Sequence, residues 1–205
     1  TKTCTIHTKI EAISEAQWQL ITEAPTASFF QTKTAQSFFE KTGIETFQFA
    51  IEREGQIRVY LSGIIQKEKG IKSKFSSRAI IYGGPVICKD ANDEDIIETL
   101  QFAIDALKKK VIYIESRNLN NYDQYIHLFA KVGFRLVPHL NFHVDCTDMA
   151  AMKKRMSSSK LRQVKKSLKT GAEIIEAESC DEIRAYYTIL HELYTTKVKT
   201  PLPDQ

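Results

Sequence analysis

An amphipathic helix set between two short apolar strands constrains this chain more than any other segment. Asn92 is a helix-capping residue followed by Asp93, Glu94 and Asp95, and Lys108, Lys109 and Lys110 close the segment, so both ends complement the helix dipole. Between them Ile96, Ile97, Leu100, Ala103, Ile104 and Leu107 recur on one face. The spacing predicts a helix from about Asp93 to Lys109. Before it, RAIIY (78–82) reads as a short apolar strand that stops at Gly83-Gly84-Pro85. Pro85 cannot donate a ladder hydrogen bond, and the glycines allow close backbone approach. After the helix, VIYIE (111–115) is a buried-strand pattern, followed by Ser116-Arg117-Asn118.

The rest of the first 145 residues fits the same architecture. Ser14 and Gln17 have capping-box spacing and open a helix carrying Trp18, Leu20 and Ile21. Thr34 to Lys41 reads as a short helix closed by Gly43. Residues 45–53 and 56–66 are strand-like runs around Glu54-Gly55, a hairpin signal. A helix from about Tyr122 to Lys131 ends at Gly133, and Phe134–Val137 and Leu140–Cys146 read as a final strand pair. With an opening strand the order is β-α-α-β-β-β-α-β-α-β-β, a mixed α/β domain assigned to residues 1–147.

Composition agrees with a globular chain: 42% of its 205 residues are hydrophobic and 26% charged. No apolar run has the length to span a bilayer, and the opening sixteen residues carry charges where a signal peptide has its apolar core. Cys4, Cys88, Cys146 and Cys180 form no C-x-x-C pair, which excludes a zinc ribbon and a dithiol redox motif and points to a reducing, cytoplasmic setting. His139 and His143 share a strand face with Cys146 on the other, and no fourth ligand is nearby, so no metal is expected.

After Asp148 the texture changes. Residues 152–170 hold eight Lys or Arg and no acid; taking those eight from 29 leaves 21 bases against 25 acids elsewhere, a balance of −4. Leu161, Val164 and Leu168 fall at helical spacing within the block, capped by Ser158 or Ser159 and stopped by Gly171. AEIIEA (172–177) reads as a strand. Ser179 and Glu182 form a capping box that opens a helix with Ile183, Tyr186, Tyr187, Leu190 and Leu193 inward. Helix, strand and helix enclose no core of their own, so residues 148–205 are expected to begin a second, incomplete domain.

Several residues carry candidate chemistry. Glu115 alternates with Arg117 on an apolar strand, where a carboxylate needs a partner, and an ion pair between them is the simpler account than a general base. Arg117 and Asn118 leave the C-terminal end of that strand, where α/β folds build sites. Tyr82 ends the preceding strand beside Gly83 and Gly84; its hydroxyl suits a sugar or phosphate, or simply a core edge. The basic helix offers Arg162, Lys165 and Lys166 to a phosphate or tRNA backbone, or to an anionic membrane surface, or presents them as a solvated face. No aromatic residue interleaves Lys153 to Lys169, which disfavours base stacking.

The order of elements resembles the GNAT (acyl-CoA N-acyltransferase) fold, and the residue strings resemble the Fem-type peptidoglycan-bridge aminoacyltransferases and their Bacteroidetes relatives. The matching pieces are Phe30-Gln31-Thr32, Arg78 through Tyr82-Gly83-Gly84-Pro85, and Tyr113-Ile114-Glu115-Ser116-Arg117-Asn118. Later come Gly133-Phe134, His139 to Phe142, Ser159 to Ser167 and Lys197 to Pro203. Such relatives often carry Trp in the helix after the Phe-Gln motif and Arg in place of the first Gly of Gly-Gly-Pro; here Phe38 or Phe39 and Gly83 stand there.

The resemblance implies two GNAT-like halves and a transferase that forms an amide bond on a peptidoglycan-precursor peptide stem, this chain being the acceptor-binding half and inactive alone. The implied partner is a cell-wall precursor, either a nucleotide-sugar or a lipid-linked peptide. No cofactor is held tightly; the donor is aminoacyl-tRNA, or acyl-CoA in the alternative of an ordinary N-acyltransferase on a small amine or amino sugar. A non-catalytic module binding nucleotide-sugars or anionic surfaces is the third reading. A coenzyme A-binding GNAT cradles pyrophosphate on backbone N–H groups with Q/R-x-x-G-x-G/A opening a helix. Here Pro85 removes one such donor, which disfavours coenzyme A in this half. Lys33 follows the Phe-Gln-Thr motif, where a cation would meet a precursor phosphate or remain a solvated loop lysine.

Overall fold

The computed structural model describes residues 4–67, 76–140 and 144–198, and the chain divides into two compact units, Thr1–Pro138 and His139–Gln205. In the first, the elements run β1 (Cys4–His7), α1 (Glu15–Glu23), α2 (Lys33–Lys41), β2 (Glu45–Arg53), β3 (Gln56–Gln66) and β4 (Arg78–Gly83). They continue through β5 (Val86–Ile87), α3 (Asp93–Leu107), β6 (Tyr113–Asn118) and α4 (Ile126–Lys131). The sheet order is β1-β2-β3-β4-β6, with β5 paired to β3. All pairings are antiparallel except β4 with β6, which α3 joins as a crossover and which run parallel. This is a mixed α/β fold with a mostly antiparallel sheet.

Local chemistry explains the helices. Ser14 and Gln17 cap α1 reciprocally, and α1 buries Trp18 and Ile21 while Leu20 stays exposed. Asn92 and Asp95 do the same for α3, which lays Ile96, Leu100, Ala103 and Leu107 on the sheet. Each large side chain so buried stabilises the fold by about 1.5–3 kcal/mol.

The sheet is covered on both faces. Phe47, Phe49, Leu61, Ile81, Leu100, Tyr122 and Leu128 belong to the core beneath α3 and α4, whereas Ile21, Trp18, Ala50, Tyr60 and Val86 form the core beneath α1. Side chains alternate between faces along a strand, yet Ile57 and Val59 lie in opposite cores. Arg58 is an extra residue between the pairs Ile51–Val59 and Glu52–Ile57, and this bulge switches the face.

A second irregularity matters more. β4 pairs with β3 through Ile64–Ile80, Ile65–Ala79 and Gln66–Arg78, but β5 rejoins β3 at Val59–Ile87 and Tyr60–Val86. Five residues, 81–85, therefore stand opposite three, 61–63. The chain bulges outward there, through Gly83 and Gly84, both at positive φ.

Some expected strands are absent. Phe134–Val137 and the described residues of Leu140–Cys146 take no strand conformation; residues 141–143 lie outside the described residues. A strand forms only where a partner closes its ladder, and high strand propensity at 134–137 does not supply one. Conversely β6 continues past VIYIE to Asn118, because β4 pairs with it through Gly83–Asn118.

The second unit contains α5 (Met149–Arg155), α6 (Ser158–Lys169) and α7 (Cys180–Leu193), followed by a π-helical turn, Tyr194–Val198. Ser157 caps α6, Gly171 ends it at positive φ, and Ser179 with Glu182 caps α7. AEIIEA (172–177) is not a strand, and Ile174 is 98% exposed. No described strand lies in this unit to pair with it. The expected inward face of α7 is also missing: no residue of α5, α6 or α7 is buried, and Ile183, Tyr186 and Leu193 are exposed. No helix among the described residues is long and apolar enough to cross a membrane.

Candidate functional site

The bulge at residues 81–85 is held in place by two side chains. Gln31, in the turn before α2, is buried and donates its amide to the carbonyl oxygens of Tyr82 (2.6 Å) and Gly84 (2.8 Å). Tyr122 donates its hydroxyl to those of Pro85 (2.8 Å) and Gly83 (3.0 Å). Four consecutive carbonyls thus accept from two side chains. Ser28 fixes Gln31 by donating its N–H and its hydroxyl to Oε1 (2.9 and 2.6 Å). On the β5 side, Thr26 Oγ1 accepts from the Ile87 N–H at 2.7 Å. A buried carbonyl left unpaired costs about 1–3 kcal/mol, and these bonds hold a backbone that has left the β3 ladder.

Only glycine fits there. A Cβ on Gly83 would collide with Gln31 Nε2 and Ser28 Oγ, and one on Gly84 would lie 2.7 Å from Asn118 Oδ1 and from the Tyr122 ring and hydroxyl. Both glycines are buried.

The bulge and the parallel pairing deliver side chains to one end of the sheet. Tyr82 stands opposite Arg117, and Gly83 opposite Asn118, at the C-terminal ends of β4 and β6. The Arg117 guanidinium lies over the Tyr82 ring, 5.3 Å from its centroid, and its Nε donates to Glu115 Oε1 at 2.6 Å. That hydrogen bond to Glu115 raises the Arg117 pKa further, so the cation is permanent. Tyr82 also stacks on Phe30 (5.1 Å between centroids) and Phe39 (6.3 Å). Phe29 packs edge-on to Phe30 and Phe38 edge-on to Phe39, completing a string of five rings. Its outer members, Phe29 and Phe38, are 63% and 59% exposed. Asn118 Oδ1 accepts from Ser116 Oγ at 2.7 Å. The result is a half-buried aromatic platform with a fixed cation and an amide beside it.

Tyr82, Gly83, Gly84, Arg117 and Asn118 therefore come together. Lys33 is engaged otherwise: it ion-pairs with Glu15 of α1 and lies 5.5 Å over the Trp18 ring. Arg162, Lys165 and Lys166 are exposed on α6 in the second unit. Gln31 and Tyr122 are the residues that sequence reasoning missed. Gln31 was visible only as part of the Phe30-Gln31-Thr32 piece, with no role attached to its amide, and Tyr122 only as a helix start.

The N-terminus of α3 is poorly suited to a pyrophosphate. Asn92 and Asp95 satisfy each other's backbone N–H groups, each at 3.0 Å. A cavity of about 290 Å³ beside it is lined by Arg53, Glu54, Arg58, Asp90, Asn92, Glu94 and Asp95. Its two arginines are already paired, Arg53 with Asp95 and Glu98 and Arg58 with Glu54 and Asp90, and its four carboxylates repel an anion. Among the described residues no group of His, Cys, Asp and Glu could hold a metal ion; His143 lies outside them.

Comparison with solved structures places this architecture. An acetyltransferase of Trypanosoma brucei superposes with a TM-score of 0.51 at 13% identity, covering 70% of this chain and 99% of that one. Glucosamine-6-phosphate N-acetyltransferase of Arabidopsis thaliana gives 0.51 at 15% identity, covering 70% of this chain and all of the other. The fold is that of the GNAT acetyltransferases. No family model matches the sequence, and a comparison with curated proteins finds no match.

Proposed function

We propose that this chain is the acceptor-binding half of a Fem-type aminoacyl or acyl transferase that forms an amide bond on the peptide stem of a cell-wall precursor. The observation that carries the reading is the convergence of Tyr82, Arg117 and Asn118 at the adjoining ends of β4 and β6, beside the aromatic string. The exposed rings of Phe29 and Phe38 suit a nucleobase or sugar face, and a fixed guanidinium suits a phosphate. Amide formation needs an amine held close to an activated acyl carbon and donors for the oxyanion. In this reading Arg117 and Tyr82 hold the acceptor with Asn118 beside them, and Gly83 and Gly84 let the bulge close on Gln31 and Tyr122 so that Tyr82 is placed there. The donor is aminoacyl-tRNA and binds outside this unit, so the isolated chain does not turn over. The acidic, self-capped start of α3 supports a donor other than coenzyme A here.

The likeness of fold to N-acetyltransferases keeps one second reading, an acyl-CoA-dependent N-acyltransferase. Calorimetric titration of the chain with UDP-MurNAc-pentapeptide, and in parallel with acetyl-CoA, separates the two. Saturable heat from the precursor alone is expected. Saturable heat from acetyl-CoA alone would overturn the acceptor-half reading.

A further inference from the structure

Helix α6 carries two features that nothing else in its unit uses. Its five cations, Lys160, Arg162, Lys165, Lys166 and Lys169, form no ion pair among the described residues. Among the described residues its apolar side chains enter no core: Leu161 is half-buried, and Val164 and Leu168 are 39% and 59% exposed. At about 100° per residue the three apolar side chains fall within an arc of about 60°. Lys165 and Lys169 border that arc on one side and Lys160 borders it on the other. Lysines in such positions extend their stems along an apolar layer and keep their ammonium groups in water. The helix is capped at both ends by its own residues, Ser157 and Gly171, so it is preformed.

We propose that α6 is a docking helix for an anionic lipid surface, lying in the interface with Leu161, Val164 and Leu168 toward the acyl chains and its lysines on the headgroups. Charge complementarity selects this occupant. The block 152–170 holds eight bases and no acid, whereas the rest of the chain is slightly acidic, so a negative surface draws this helix and repels the remainder. A nucleic-acid backbone would match the charge but would leave the apolar arc in water, and no aromatic side chain in 152–170 offers a base a stacking surface. The equally exposed apolar face of α7 lacks the charge: Asp181, Glu182 and Glu192 lie on that helix. The inference is independent of the acceptor-site reading, because it uses no residue of the first unit.

The test is co-sedimentation of the 205-residue chain with phosphatidylcholine vesicles, with and without phosphatidylglycerol. Binding is expected only to vesicles with phosphatidylglycerol, and it weakens as salt is added. Each cation at the surface is worth on the order of fivefold in partitioning, so K165E/K169E lowers it by at least about tenfold. The charge-matched control K109E/K131E, outside the helix, leaves it within about twofold. L161S/L168S must also weaken binding, with helicity checked by circular dichroism. Equal binding to uncharged vesicles overturns the proposal. So does binding indifferent to L161S/L168S, which would be charge attraction alone. Retention of a bulk tRNA mixture without vesicle binding overturns it in favour of nucleic acid.

Discussion

The guanidinium carbon of Arg117 stands 5.3 Å from the centroid of the ring of Tyr82, its register partner across a parallel strand pair. Thirty-five residues separate the two. They meet because α3 returns the chain to run parallel beside β4, and because the 81–85 bulge releases Tyr82 from the β3 ladder. The pair is the point at which fold and proposed chemistry join, and substitutions around it separate the two.

Arg117→Ala is expected to weaken precursor binding by about tenfold, the loss of one charge-assisted contact and one cation–π contact. Arg117→Lys recovers little, because an ammonium neither spans the Glu115 carboxylate nor lies flat on a ring. Arg117 and its partner Glu115 are both partly exposed, so the melting temperature barely moves. Calorimetry against UDP-MurNAc-pentapeptide, with thermal melts alongside, measures the two effects apart. An unchanged affinity in Arg117→Ala would remove Arg117 from the site.

Gly84→Ala should cost about 2–4 kcal/mol, from a left-handed backbone that alanine resists and from overlap with Asn118 and Tyr122. Urea unfolding followed by the fluorescence of Trp18, the single tryptophan, reads this directly. Gly55→Ala is the control: it too has positive φ, but nothing lies within 4 Å of its added Cβ, so only the backbone share, about 1 kcal/mol, remains.

How much of this was legible in the sequence depends on how local each cause is. Helix α3 was readable because its cap, its acids and its apolar period all lie within one segment. The Glu115–Arg117 ion pair was readable because strand alternation alone puts both on one face. The role of Gln31 was not, since a glutamine after two phenylalanines says nothing about two carbonyls more than fifty residues away. The strands expected at 134–137 and 172–177 misled for the same reason: apolar β-formers at those positions are local, whereas the ladder that would have made them strands is not.

Alkaline pH should loosen the same region. Burial raises the Tyr122 phenol well above its ordinary value of 10.0, and burial also pushes the Cys88 thiol from 9.0 up to about 11. Both groups are harder to ionise folded than unfolded. Their contribution to stability is therefore intact below the unfolded values and is lost as pH rises from about 9 through about 11 for Cys88 and above 10 for Tyr122. Tyr122→Phe should be less stable at neutral pH by about 1–3 kcal/mol, with two carbonyls unpaired. Its stability should then fall less steeply than that of the unmodified protein above pH 10, with buried Tyr60, and Cys88 up to about pH 11, contributing the slope that remains. Denaturant midpoints across that pH range give the comparison, and parallel curves would show that the phenol does not titrate with unfolding.

Cys88 also reports on the bulge from inside. It follows β5, its N–H donates to the Arg58 carbonyl at 2.9 Å, and its thiol is buried, whereas Cys4, Cys146 and Cys180 are exposed. At pH 8 iodoacetamide should modify the three exposed cysteines quickly and Cys88 only when the 81–88 segment opens. Gln31→Leu leaves the carbonyls of Tyr82 and Gly84 unpaired, a loss of about 2 kcal/mol or more, so the open state becomes about thirtyfold more populated. Cys88 labelling, followed by peptide mass spectrometry, should accelerate by that factor while the other three cysteines keep their rates. Acceleration at all four would mean that the substitution destabilises the whole unit, and no acceleration at Cys88 would mean that Gln31 does not hold the bulge closed.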